Sequence, residues 1–251
     1  MNKLPKITLA FWIMKIAATT LGETAGDMLS MTLDIGYVVS SVILFAVFLG
    51  TVALQMRATR YIPALYWAVI VSTSTSGTTI SDMMDRTWEL GYPAGSAILL
   101  SILGAIFLYW RSTGESLNVD EIRTPRVELL YWTTILFSNT LGTAMGDFLA
   151  DSSGLGFAGG ALLVGSLIAA VVVAYYATQV SRVLLFWLAF VLTRPFGAQF
   201  GDVLTKTHEK GGLDLGTMGS SAVLTSILVV LVVHATVMQR RDRLSTIGEG
   251  H

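Results

Sequence analysis

Four long stretches of this 251-residue chain contain no Asp, Glu, Lys or Arg, and they constrain its fold more than any other feature. They cover residues 35–56, 90–110, 152–181 and 215–239. Each exceeds the roughly 20 residues that a helix needs to cross about 30 Å of hydrocarbon. Only 13% of all residues are charged, so the surrounding solvent is predicted to be lipid.

Four further apolar segments lie between these stretches, at about residues 7–30, 61–84, 129–150 and 183–205. We predict that they also span the membrane, which gives an all-α polytopic protein with eight transmembrane helices. Basic residues concentrate near both termini and in every second connection, whereas the opposite connections contain only Arg86, Lys206 and Lys210. The positive-inside rule therefore predicts that both termini are cytoplasmic.

A fourfold repeat organises these segments. Each odd-numbered helix begins with an aromatic residue followed by Trp12, Trp67, Trp132 or Trp187. Ten residues later comes a glycine: Gly22, Gly77, Gly142 or Gly197. Fifteen residues after the Trp comes Asp27, Asp82, Asp147 or Asp202, preceded directly by Gly26, Ser81, Gly146 or Gly201. All four copies therefore read aromatic-Trp, nine residues, G-x-x-x-[G/S]-D.

The repeating unit is a two-helix hairpin, so all copies run in the same direction through the membrane. Parallel repeats permit a pseudo-fourfold arrangement about the membrane normal. We predict a single membrane domain over residues 1–251, with repeats at about 6–57, 61–111, 127–180 and 182–239. A charged cytoplasmic linker, residues 111–128, divides the two halves.

The four tandem Trp-marked hairpins resemble a family of uncharacterised bacterial integral membrane proteins that is defined by this repeat. The resemblance covers nearly the whole chain. It implies the repeat architecture and a location in the bacterial inner membrane, and it implies no activity.

The repeated Trp and small residues have packing interpretations. Trp is favoured at the headgroup level, so the four Trp residues are predicted to form an interfacial belt, with a cation-π role as the alternative. The G-x-x-x-[G/S] pairs predict close helix packing. The alternative is that a helix unwinds to offer carbonyl groups to an ion, and Pro195 marks one such weak point.

The predicted function rests on the four Asp residues and on the residues that share their helix face. Positions four, eight and twelve residues before each Asp share its helix face. The first layer contains Glu23, Thr78, Thr143 and Ala198; the second contains Thr19, Ser74, Asn139 and Arg194; the third contains Lys15, Ile70, Ile135 and Phe190. If the four repeats surround a common axis, the Asp residues form an acidic ring on the outer side. The layers at mid-depth then form oxygen-rich rings, and the third layer forms a mostly apolar ring toward the cytoplasm. The alternative is that each Asp is a helix-end residue that meets water or caps the returning helix.

Intramembrane ionisable groups indicate function by default, because burying them is costly. Asp, Glu, Thr and Asn oxygens suit hard cations such as Mg²⁺, Mn²⁺ or Ca²⁺, or protons and Na⁺. We therefore predict an ion site, and as a hypothesis a metal site at the four Asp, that uses Asp27, Asp82, Asp147, Asp202, Glu23, Asn139, Thr78 and Thr143. Arg194 is expected to pair with a carboxylate such as Glu23, and Lys15 either to couple with this charge network or to extend toward the membrane surface.

Composition excludes several other classes. The chain has no Cys and only 3 His, which disfavours thiolate and imidazole metal centres, and its net charge of -1 disfavours nucleic-acid binding. The sequence predicts a membrane transporter for a small cation, with no cofactor beyond a bound cation, rather than an enzyme. The lipid bilayer and the small cation are its expected partners, and a homo-oligomer stays open. Alternatives are a non-transporting scaffold or sensor and, less favoured, an intramembrane aspartyl hydrolase.

Overall fold

The computed structural model describes the backbone of residues 3–248 and the side chains of residues 3–241. Within that range there are eight α-helices, one for each predicted segment. They are α1 (Leu9–Asp27), α2 (Tyr37–Arg57), α3 (Pro63–Asp82), α4 (Tyr92–Ser112), α5 (Pro125–Asp147), α6 (Gly156–Ala177), α7 (Arg182–Thr205) and α8 (Thr217–Gly248). Five of them, α2, α4, α6, α7 and α8, are long and apolar enough to cross a membrane. The other three, α1, α3 and α5, are more polar.

The four odd-numbered helices form a closed ring, which we call the inner ring. Helix α1 packs against α3 and α7, and α5 also packs against α3 and α7. Each even-numbered helix packs mainly on the inner helix of the next repeat: α2 on α3, α4 on α5, α6 on α7 and α8 on α1. The same contact recurs four times and the last repeat closes onto the first, which is a pseudo-fourfold arrangement.

The two sets of helices differ in burial. Most of the polar half of each inner helix is buried, whereas the outer helices expose large apolar side chains such as Leu108 at 73% and Leu162 at 73%. Apolar surface of this extent is costly in water but not in hydrocarbon. The outer helices therefore form an apolar surface, suited to contact with lipid, around a polar interior.

Small residues allow the inner helices to approach closely. A Cβ atom added to Gly77 would lie 3.0 Å from backbone atoms of Asn139 and Thr140 in the next repeat. The same register recurs around the ring, where the first glycine of each repeat faces the second-layer residue of the next: Gly22 faces Ser74, Gly142 faces Arg194 and Gly197 faces Thr19. The predicted packing positions thus lie at helix contacts.

The connections after the first three inner helices share an unexpected geometry. Asp27, Asp82 and Asp147 are each followed directly by a π-helical turn, at Met28–Thr32, Met83–Thr87 and Phe148–Ser152. In the fourth repeat α7 instead continues to Thr205, and the inserted segment forms a short 3₁₀ turn at His208–Lys210. Helix α7 also runs without interruption through Pro195, so the predicted break is absent from this structure.

The aromatic-Trp pairs close the opposite end of the inner ring, which we call the aromatic end. The aromatic residue of each repeat contacts the Trp of the next, with ring centroids 5.6–6.1 Å apart; the pairs are Phe11–Trp67, Tyr66–Trp132, Tyr131–Trp187 and Phe186–Trp12. Trp67, Trp132 and Trp187 are buried, and Trp12 is half-buried. Three of the four rings therefore pack inside the protein instead of facing lipid as a surface belt would. Their depth in the bilayer stays a prediction.

Candidate functional site

The four repeated Asp residues meet at one end of the inner ring, which we call the carboxylate end. Asp27, Asp82, Asp147 and Asp202 are only 2–4% exposed. Each Asp ends or nearly ends its helix, because the π-helical turns or the inserted segment begin just beyond it. The alternative of four carboxylates in open water therefore does not describe this geometry.

Two basic side chains from the connections divide the four Asp residues into pairs. Arg86 lies 3.1 Å from Asp82 and 3.6 Å from Asp147. Lys206 lies 2.7 Å from Asp27 and 3.1 Å from Asp202. Each basic residue follows its own Asp by four positions and reaches the Asp of the next repeat. The equivalent positions in the first and third repeats are Met31 and Asp151, so among the described residues no such cation links Asp27 to Asp82 or Asp147 to Asp202.

The carboxylates hold Lys206 in its charged form. Lys206 lies just beyond α7, and burial alone would lower the pKa of its ammonium group. The neighbouring carboxylates of Asp202 and Asp27 outweigh burial and raise the pKa well above its ordinary value. Lys206 therefore acts as a permanent counter-charge across the usual pH range.

Arg194 is a second-layer residue whose guanidinium group reaches the first layer at the centre of the inner ring. The side chain is fully buried, and Nη2 donates to Glu23 Oε2 at 2.9 Å. The same nitrogen donates to Thr78 Oγ1 at 2.5 Å and Thr143 Oγ1 at 2.6 Å. One guanidinium group from the fourth repeat thus contacts the first-layer residue of each of the other three repeats. The structure places Arg194 and Glu23 together, as the sequence suggested.

Lys15 and Asn139 form a second polar contact deeper in the inner ring. Lys15 is fully buried, with Nζ 3.4 Å from Asn139 Oδ1 and 4.1 Å from the centroid of the Phe190 ring. Asn139 Nδ2 in turn donates to Thr73 Oγ1 at 2.9 Å. Lys15 does not extend to the protein surface, and among the described residues it forms no ion pair with a carboxylate. It lies apart from the pairs at the carboxylate end.

Three carboxylates converge at the contact between Asp147 and Asp202, which neither Arg86 nor Lys206 bridges. Glu23, Asp147 and Asp202 each bring one oxygen to within 4.8 Å of the others. Among the described residues, Asp147 Oδ2 and Asp202 Oδ1 are buried and accept no hydrogen bond, although each is the oxygen that faces a basic group, Arg86 at 3.6 Å and Lys206 at 3.1 Å. Above them, a cavity of about 360 Å³ is lined by Asp147, Asp202, Arg86 and Lys206 and opens to the outside. We call the space between Glu23, Asp147 and Asp202 the carboxylate slot.

The charges at this end do not balance. Five buried carboxylates, from Glu23 and the four Asp residues, face three basic side chains, from Arg86, Arg194 and Lys206. Closely spaced carboxylates cannot all stay ionised in a buried site without further compensation. Two protons or one divalent cation would neutralise the excess.

Arg86 and Lys206 are two site residues that the sequence pattern did not predict. Both lie in connections opposite the basic ones, and neither was expected to contact the Asp residues. A signal was present, because both stand four residues after a repeated Asp, the spacing that brings side chains together on a helical surface. Their second contact, with an Asp of the next repeat, depends on how the inner helices are ordered in space.

Fold and site together define an all-α protein with membrane-like helices and a buried, charged centre built by internal repetition. The chain matches a family described as Repeat of Unknown Function (DUF347) four times, over residues 10–61, 65–116, 130–181 and 185–241. It belongs to this repeat family, and the predicted fourfold repeat is confirmed. Neither a curated protein nor a solved structure matches the chain.

Proposed function

We propose that this protein is a membrane transporter for a small hard divalent cation, which binds in the carboxylate slot. The observation that carries the proposal is the convergence of Glu23, Asp147 and Asp202 beneath an open cavity, where neither Arg86 nor Lys206 bridges Asp147 to Asp202. Carboxylate oxygens are the ligands that Mg²⁺, Mn²⁺ and Ca²⁺ prefer.

The ion pairs support the choice of this slot over the other acidic positions. Asp27 is held by Lys206 at 2.7 Å, whereas the Arg86 contact to Asp147, at 3.6 Å, is the longest of the five ion pairs at this site. Asp147 is therefore the carboxylate that is least compensated by the protein. A divalent cation in the slot would also neutralise the excess of two negative charges, which favours it over a monovalent one.

The two ends of the inner ring suggest how transport would proceed. The cavity at the carboxylate end gives a cation access from one side, while the closed aromatic rings and the buried Lys15 block the other. Transport then requires a second conformation in which the aromatic end opens. Exchange of one divalent cation for two protons at the slot would leave the buried charge unchanged.

Thermal unfolding of the detergent-purified protein tests the site. A ligand that binds only the folded state stabilises it by RT ln(1 + [L]/Kd). We expect Mn²⁺ or Mg²⁺ to raise the melting temperature of the wild type in a saturable way, and Asp147→Asn and Glu23→Gln to abolish that rise. The matched control is Asp34→Asn, which removes an exposed carboxylate from a connection and should leave the rise unchanged.

Flux into proteoliposomes then separates transport from binding. Entry of the stabilising cation, lost in Asp147→Asn but kept in Asp34→Asn, supports the transporter. Binding without flux would favour the alternative, a membrane scaffold or sensor. A folded protein that no cation stabilises would contradict the slot itself.

We also propose that all eight helices cross the bacterial inner membrane with both termini in the cytoplasm. The support is the inner ring, in which α1 and α5 lie beside the membrane-like helix α7 and α3 lies between α1 and α5, together with the distribution of basic residues. The chain has no Cys, so single cysteines can be labelled cleanly. A membrane-impermeant thiol reagent should label Ser152→Cys in intact cells and Ser116→Cys only after the cells are permeabilised.

A further inference from the structure

A groove of about 850 Å³ runs along the outside of the inner ring between α4 and α7. Its volume lies within the range of about 300–1,000 Å³ that is typical of small-molecule sites. The groove begins among apolar side chains of the two helices and ends at the connection that follows α4. It is separate from the carboxylate slot.

The walls of the groove are apolar and face outward. Leu100 and Leu108 on α4 are 59% and 73% exposed, and Leu184 and Leu188 on α7 are 52% and 44% exposed. Buried Trp187 contributes to the lining. In a protein surrounded by lipid, an apolar surface of this kind would contact hydrocarbon chains.

The end of the groove is polar and carries one basic and one acidic side chain. Arg111 and Glu115 are exposed there, and among the described residues neither side chain forms an ion pair or a hydrogen bond. The backbone around them is held in place, because Trp187 Nε1 donates to Leu117 O at 3.0 Å. A free guanidinium group suits a phosphate, and a free carboxylate suits an ammonium group.

We propose that this groove binds a phospholipid whose headgroup combines a phosphate with a primary amine, as in phosphatidylethanolamine. One acyl chain would lie along α4 and α7, the phosphate would contact Arg111, and the amine would contact Glu115. The charge pattern favours this occupant over an anionic lipid, which Glu115 would repel. The proposal depends on the membrane setting and is independent of the carboxylate slot.

A glycine makes the room for this groove. Gly104 lines it, and nothing lies within 4 Å of where its Cβ would be. The equivalent position, thirteen residues after the glycine that precedes each outer helix, is Leu49 in the first repeat and Val229 in the fourth. A leucine is therefore compatible with the fold at this position, and in α4 it would fill the groove.

Native mass spectrometry of the purified full-length protein tests the proposal with three probes: phosphatidylethanolamine, phosphatidylglycerol and phosphatidylcholine. We expect the wild type to retain phosphatidylethanolamine preferentially. Gly104→Leu should weaken that binding roughly tenfold or more, and Arg111→Gln and Glu115→Gln should each weaken it about tenfold, the effect of losing one charged contact.

Two controls match these variants. Gly50→Leu changes an equally unobstructed glycine on α2, and Arg57→Gln removes an exposed arginine at the end of α2. Both should bind lipid as the wild type does. Unchanged binding in Gly104→Leu, or an equal loss in Gly50→Leu, would overturn the site. Binding of phosphatidylglycerol or phosphatidylcholine as tight as that of phosphatidylethanolamine would overturn the choice of occupant.

Discussion

The two ends of the inner ring use the same fourfold repeat in opposite ways. At the aromatic end all four repeats are equivalent, since each aromatic residue contacts the Trp of the next repeat. At the carboxylate end the four Asp residues are equivalent in position but not in their partners. Arg86 joins Asp82 to Asp147, and Lys206 joins Asp202 to Asp27. Neither side chain joins the remaining neighbours in the ring of four Asp residues.

This difference separates packing from chemistry. At the aromatic end the side chains only have to pack, and the same aromatic–Trp contact between each pair of neighbouring repeats is enough to close the ring. The carboxylate end has to hold charge, and Glu23 and Arg194, each present in one repeat only, create an asymmetric centre there. Changes at the aromatic end should therefore affect stability but not the binding of cations, whereas changes at the carboxylate end should affect both.

The largest effect is expected from Arg194→Met. It leaves Glu23 buried without its partner, and breaking one side of a buried pair costs about 3–5 kcal/mol. The loss appears as a lower melting temperature or a lower yield of folded protein. The double variant Arg194→Met with Glu23→Gln removes both charges and should recover much of the stability; additive losses would contradict the pairing.

A smaller loss, about 2–3 kcal/mol, is expected from Lys206→Gln, because a charged hydrogen bond to Asp27 disappears. The pKa of Lys206 is raised in the folded protein, so its contribution is complete below the unfolded pKa of about 10.4 and is lost only above it. The difference in stability from the wild type should therefore be constant between about pH 6 and 9 and should shrink above about pH 10. A difference that has already vanished at about pH 8 would count against the ion pairs.

Gly77→Ala should cost about 2 kcal/mol, since the new Cβ would press on the backbone of the next repeat. Gly50→Ala, on the outer helix α2, meets nothing within 4 Å and should be neutral or slightly stabilising. Comparing the two melting temperatures isolates the close approach of the inner helices. Equal effects would mean that the inner ring is more loosely packed than described.

The smallest effect, about 1 kcal/mol, is expected from Tyr66→Phe and Tyr131→Phe, which share one hydroxyl–hydroxyl hydrogen bond of 2.8 Å at the aromatic end. Because the two residues share one bond, the double variant should be no less stable than either single variant. None of the three should change the response to cations. A change in the stabilisation by cations would contradict the claim that the aromatic end takes no part in cation binding.

Much of this fold is predictable from the sequence. The uncharged stretches and the exact spacing from Trp to Asp predict eight helices and their four-residue layers, because both features follow from helix periodicity. The layer that contains Glu23, Thr78 and Thr143 indeed meets in space, around Arg194. The π-helical turns after three of the Asp residues have no signal that periodicity could detect.

The partners of the Asp residues depend on tertiary structure. Arg86 and Lys206 lie in connections that composition alone would assign to solvent, and only the order of the inner helices brings them to two Asp residues at once. The Trp residues show a second limit: an amphipathic ring suits both a membrane surface and a protein interior, so the pattern alone does not predict that Trp67, Trp132 and Trp187 are buried against other side chains.

A structure of the protein with Mn²⁺, determined by X-ray diffraction with an anomalous difference map, would show directly whether a divalent cation occupies the carboxylate slot. We expect one peak between Glu23, Asp147 and Asp202, about 2.0–2.6 Å from a carboxylate oxygen of each, the range for a hard cation with oxygen ligands. The peak should be missing from Asp147→Asn crystals grown in the same Mn²⁺ concentration. An empty slot in the wild type, or a peak at Asp27 and Asp82 instead, would contradict this expectation.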